Sequence, residues 1–126
     1  MLKKILRLSR KDLEAFFPTG GGSAFGGKKR PKFTTGKLVS LRFNENNLKH
    51  SRFAFIVSFE DKQKRKGRAV IRNLLRRRMS EIVRNSIKNI KPGLDMVFFI
   101  KIKNQKQPKY RALTEDIQYV LSKSYL

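Results

Sequence analysis

Between Lys62 and Lys88 the chain sets eleven Lys and Arg against a single acid, Glu81. From Arg68 onward the same stretch has a helical period. Turned about 100° per residue, Ile71, Leu75, Met79, Ile82 and Val83 gather on one side, while Asn73, Arg77, Ser80, Arg84 and Lys88 line another. One stripe is suited to a core and the other to an anion. Charge runs on helices are most often solvated faces, but those ordinarily interleave Glu with Lys at four-residue spacing and gain from the pairing. Here the neighbours repel. Arg76, Arg77 and Arg78 become favourable once phosphate neutralises them, and guanidinium pairs bidentately with phosphate at any physiological pH.

Composition points the same way. A length of 126 residues is normal for one domain, 1–126, and 39% apolar residues with ten Phe can build one modest core. A formal charge of +22 implies self-repulsion that an anionic partner relieves. The absence of cysteine excludes disulfides and thiolate metal sites. In MLKKILRLSRK charge interrupts the apolar positions too often for a signal-peptide core, and no stretch is long enough to span a membrane. The expectation is a soluble, cytoplasmic protein.

Ser9 to Asp12 reads as a capped helix start, and a helix over Arg10 to Phe17 places Leu13, Phe16 and Phe17 together before Pro18 stops it. Residues 18–32 are rich in glycine and then basic, which reads as a flexible loop within the domain. No Gly-Lys-Ser/Thr ending makes it a nucleotide phosphate loop. Lys37 to Phe43 alternates as a half-buried strand, Asn44 to Asn47 supplies turn residues, and Arg52 to Phe59 forms a second strand. The basic helix follows and ends at Lys91-Pro92-Gly93. Met96 to Lys103 reads as a third strand, and Thr114-Glu115-Asp116 as the cap of a last helix carrying Ile117, Val120 and Leu121. The order α-β-β-α-β-α describes an α+β sandwich of one sheet against helices.

No catalytic or metal-ligating residue emerges. Carboxylates are scarce and unpaired, with Asp12, Asp61 and Asp95 expected singly in caps and turns. His50, the only histidine, falls in an expected surface turn. These features argue against a self-sufficient nuclease.

The segment from Gly67 to Glu81 resembles the signature of the bacterial ribonuclease P protein subunit: a Gly, Ala-Val, Arg-Asn, two residues, a basic pair, and a closing Arg before Glu or Gln. The matching residues are Gly67, Ala69, Val70, Arg72, Asn73, Arg76, Arg77 and Glu81, and the departure is Ser80, where the family has its closing Arg. Phe53 to Ser58, Lys91 to Lys101 and Leu6 to Phe17 resemble the family's flanking segments, so nearly the whole chain is covered. Thr19 to Gly27 is a longer loop than usual, and Glu60 to Lys66 an insertion.

The resemblance implies a fold shared with a domain of a small-subunit ribosomal protein. It also implies a left-handed βαβ crossover, where general physics favours the right-handed one. It implies an RNA-dependent endoribonuclease in which a catalytic RNA, with Mg2+ held mainly by that RNA and the substrate, removes the 5′ leader of precursor tRNA. In that scheme the protein binds both RNAs and is not catalytic alone. On this basis Gly67, Arg72, Asn73, Arg76 and Arg77 are expected to bind the catalytic RNA, joined by Arg68 and Arg84 of the same basic helix, and Leu13, Phe17 and Lys101 to line the leader site, where the need for rings and cations adds Phe55 and Arg42. Phe53 and Phe99 are further aromatic candidates for stacking unpaired bases, and Lys103 a further cation. Alternation puts Phe53 and Phe55 on one side of their strand without saying which side meets RNA. The alternative reading is a structural or ribosomal RNA-binding protein with no part in cleavage, against which the ordered Arg-Asn and Arg-Arg pairs stand.

Overall fold

A computed structural model describes residues 6–8, 32–46, 48–60, 67–103 and 108–124. The expected first helix with Leu13 and Phe17, all of the 18–32 loop but Lys32, and 61–66 of the insertion lie outside these residues, as do Asp12 and Asp61. In chain order come β1 (Lys32–Thr35), β2 (Val39–Glu45), β3 (Arg52–Phe59), α1 (Arg68–Ser86), a 3-10 turn (Ile87–Asn89), β4 (Leu94–Ile102) and α2 (Tyr110–Lys123). The four strands form one sheet in the order β1-β2-β4-β3. β2 runs antiparallel to β1 and β4, whereas β3 and β4 are parallel, so α1 is the crossover that joins them.

Two-residue alternation sorts the strands into a face covered by α1 and α2 and an opposite face, termed open because neither of these two helices packs on it. Val39, Leu41 and Phe43 of β2, Phe53, Val57 and Phe59 of β3, and Leu94, Met96, Phe98, Ile100 and Ile102 of β4 are buried on the covered face. Leu75, Met79, Ile82 and Val83 of α1 and Leu113, Ile117, Val120 and Leu121 of α2 close this core, with Ile71 packed at its margin. The apolar stripe expected on the basic helix is therefore the stripe that packs. On the opposite face a smaller cluster joins Leu8, Ala54 and Val97, flanked by Ile56 and Phe99. Leu8 reaches it because the chain at Arg7 bridges Phe53 in parallel, and the Leu8 amide donates to the Phe53 carbonyl at 2.9 Å. Among the described residues no helix is long and apolar enough to cross a membrane.

β1 is a strand where a loop reaching Lys32 was expected, and its cause lies far away in sequence. The carboxylate of Asp116, buried on α2, accepts the backbone N–H groups of Lys37, Leu38 and Val39 at 2.9, 2.8 and 2.7 Å. The Gly36 amide donates to the Val39 carbonyl at 2.8 Å, which closes the β1–β2 turn. A Cβ on Gly36 would stand 2.6 Å from the carboxylate, so only glycine allows this approach. The Thr34 and Ser124 hydroxyls add a second tie, between β1 and the C-terminal end of α2. Thr114 to Asp116 accordingly do not cap the last helix. It starts earlier, after Lys109, and the Thr114 hydroxyl donates back to the Tyr110 carbonyl at 2.9 Å. β2 begins at Val39 and not at Lys37 because the Lys37 and Leu38 amides point at Asp116 instead of a neighbouring strand.

Candidate nucleic-acid interface

The basic helix opens on Gly67, whose φ of +82° places it in the left-handed region. Nothing lies within 4 Å of a Cβ built there, so the backbone conformation, not space, calls for glycine. Among the described residues no side chain caps α1, and no acid sits in its first turn to offset the positive end of the helix dipole beside the arginines. Asn73, Arg76, Arg77, Arg84 and Lys88 are exposed, as expected of an RNA-facing stripe, while Arg78 is half-buried on the flank.

Three side chains of the helix depart from expectation. Arg68 is only 7% exposed, with its guanidinium 4.4 Å from the centre of the Phe59 ring, and the half-buried Arg72 lies 5.1 Å from the same ring. Arg68, Arg72, Leu75 and Met79 follow one another at spacings of four, three and four, which is the packing row of the helix. That row was legible, and it shows why Arg68 supports the surface through packing and field while Arg72 stands at its rim. Ser80, expected on the outer stripe, is buried at 3% exposure. It stands about 60° round the helix from Val83, so the packing face is wider there than the apolar residues mark.

A second surface lies across the sheet. Register places Ser40, Arg42 and Asn44 of β2, Ala54, Ile56 and Ser58 of β3, and Val97, Phe99 and Lys101 of β4 on the open face. The Arg42 guanidinium lies 5.2 Å from the centre of the Phe99 ring, a cation–π contact, and Lys101 is exposed opposite Ser58. Phe55 does not join them. The β3 residue that shares a face with Arg42 is Ala54, through Val97, so Phe55 points to the helices, where it stacks on Phe98 at 5.6 Å and packs on the main core. Phe53 is buried on that same side. Phe99 is thus the aromatic that accompanies Arg42 and Lys101. Phe33, opposite Arg42 on β1, adds an exposed ring at a position the sequence reading left unassigned between its loop and its first strand.

Neither buried acid is available for metal chemistry. Asp95 lies in β4, not in a turn. It accepts Arg52 through Nε at 2.8 Å and Nη2 at 2.7 Å, and Asn46 Nδ2 at 2.9 Å. Asp116 is engaged by three backbone amides. Among the described residues no group of three His, Cys, Asp or Glu is placed to hold a metal ion. His50 sits half-buried in the bend before β3, its carbonyl accepting from Asn46 Nδ2 at 3.1 Å.

Comparison with known proteins places this architecture. The pattern of the Ribonuclease P family matches residues 27–125. The ribonuclease P protein component of Fusobacterium nucleatum is 34% identical over 92 residues, 71% of this chain and 78% of that protein. Among solved structures, the RNase P protein of Thermotoga maritima superposes with a TM-score of 0.65 at 25% identity, covering 93% of this chain and 96% of the other. A Staphylococcus aureus RNase P protein mutant has the same fold, with a TM-score of 0.69 at 16% identity over 97% of this chain and 90% of its own. With one sheet, two described helices and the matched signature on α1, the chain belongs to the ribonuclease P protein family.

Proposed function

We propose that the chain is the protein subunit of a cytoplasmic ribonuclease P ribonucleoprotein, in which the exposed face of α1 binds the catalytic RNA and the open sheet face holds the 5′ leader of precursor tRNA. The RNA subunit performs the endonucleolytic step, with Mg2+ held by that RNA and the substrate, and the protein assists it by gripping the substrate on the leader side. The observation that carries this reading is the presence of two differently built basic surfaces on opposite sides of one sheet. One is a helix of exposed arginines suited to the phosphates of a folded RNA. The other combines a ring and cations, Phe99 with Arg42 and Lys101, as single strands require.

Replacing Arg42 and Lys101 together by alanine should weaken precursor tRNA binding by the assembled particle about ten-fold, while mature tRNA affinity and assembly with the catalytic RNA stay the same. Equal losses for precursor and mature tRNA would remove the open face from leader recognition.

A further inference from the structure

Phe33 sits on β1, the strand at the sheet edge farthest from β3, and is 73% exposed, the most exposed of the large apolar side chains described. Its neighbours explain why it is not merely a solvated edge residue. Cross-strand register sets Phe33 opposite Arg42 on the open face, and Arg42 in turn lies over Phe99 two strands away from β1. The face therefore presents ring, guanidinium and ring in succession across β1, β2 and β4. With strands about 4.8 Å apart and residues about 3.4 Å apart along them, the two rings are roughly 12 Å from each other. A flat apolar ring left in water beside a guanidinium, on a chain of +22 charge, matches an unpaired nucleobase whose phosphate the arginine neutralises.

We infer that Phe33 is a second base-stacking site, for a nucleotide of single-stranded RNA lying farther along the strand than the one held at Arg42 and Phe99. The inference rests on the proposed leader-binding role of the open face and adds a direction to it. α1 packs on β3, with Arg68 and Arg72 over Phe59, whereas β1 is tied to α2 through Thr34 and Ser124. An RNA held by α1 thus lies toward the β3 edge. A leader that starts beside this RNA crosses β4 and β2 before it reaches β1. Phe33 then meets a nucleotide more distant from the cleavage site than Phe99 does.

The test is a leader-length series, with full-length protein assembled on its catalytic RNA and precursor tRNAs whose leaders grow one nucleotide at a time. For Phe33→Ala the expected result is an affinity loss of about five- to ten-fold that appears only above a threshold length. That threshold should be longer than the one for Arg42→Ala. Phe33→Trp should retain the affinity, and mature tRNA binding, catalytic RNA binding and Tm should not move. Several results would overturn the inference while leaving the leader reading intact, provided that Arg42→Ala still acts on precursor alone. These are no effect of Phe33→Ala at any length, a loss independent of length, a marked fall in Tm, or a change in oligomeric state that marks the ring as a self-association contact. If neither Phe33→Ala nor Arg42→Ala distinguishes precursor from mature tRNA, the leader reading falls, and this inference with it.

Discussion

Replacing Arg76 and Arg77 together by alanine is expected to weaken association with the catalytic RNA about 100-fold at physiological salt, taking each charge-assisted phosphate contact as worth roughly 1.5 kcal/mol. The dependence of log K on log salt should become shallower by about two units, since each phosphate neutralised contributes a little under one. Both side chains are exposed on the helix face that carries no packing, so the melting temperature should hold or rise as like-charge repulsion within Arg76-Arg77-Arg78 is relieved. Arg78→Ala alone should change the slope less than Arg77→Ala alone, because Arg78 is half-buried on the flank. A greater effect at Arg78 than at Arg77 would mean that a different face of α1 meets the RNA.

Asp116→Ala should lower stability by about 3 kcal/mol, enough to depress the melting temperature of a domain this size by roughly 10 °C. Its carboxylate accepts the amides of Lys37, Leu38 and Val39, and the Val39 contact is fully buried, so water cannot replace every lost bond. The loss is local in its first effect. The β1–β2 hairpin loses its anchor to α2, whereas α1, β3 and β4 keep their packing. Amide exchange should accelerate in residues 32–41 before it does in α1. Asp116→Asn should fall between, because its amide group turns a donor toward one of the three backbone donors. A uniform rise in exchange, or no change in Tm, would show that the turn does not depend on this contact.

Local patterning made much of this molecule readable. β3 spans the eight residues that its alternation marks, Arg52 to Phe59, and the apolar row of α1 is the row that enters the core. The parts that were not readable depend on partners distant in sequence. β1 owes its pairing to a carboxylate 77 to 79 residues downstream of the turn it holds, and KFTT carries no alternation to announce it. The side on which Phe55 lies follows from register with β4, not from the order of residues in β3. Asp95 read as a turn acid because it follows Pro92-Gly93, yet the Arg52 guanidinium, on the neighbouring strand, makes its place in β4 tenable. Arg68 and Arg72 are a different case. Their spacing from Leu75 and Met79 marks them as packing residues, whereas the RNA contact expected of them came from their charge and the family signature and not from a place on the outer stripe.

The central claim is that this protein supplies grip and not catalysis, and reconstituted processing of precursor tRNA tests it most directly. Protein freed of RNA, the catalytic RNA alone, and the two together should be compared across a magnesium titration, with the cleaved end mapped. The expected result is that protein alone leaves the precursor intact, and that the assembled particle releases a 5′-phosphorylated mature end at magnesium concentrations too low for the RNA alone. Cleavage by the RNA-free protein, or an identical magnesium requirement with and without it, would contradict the account.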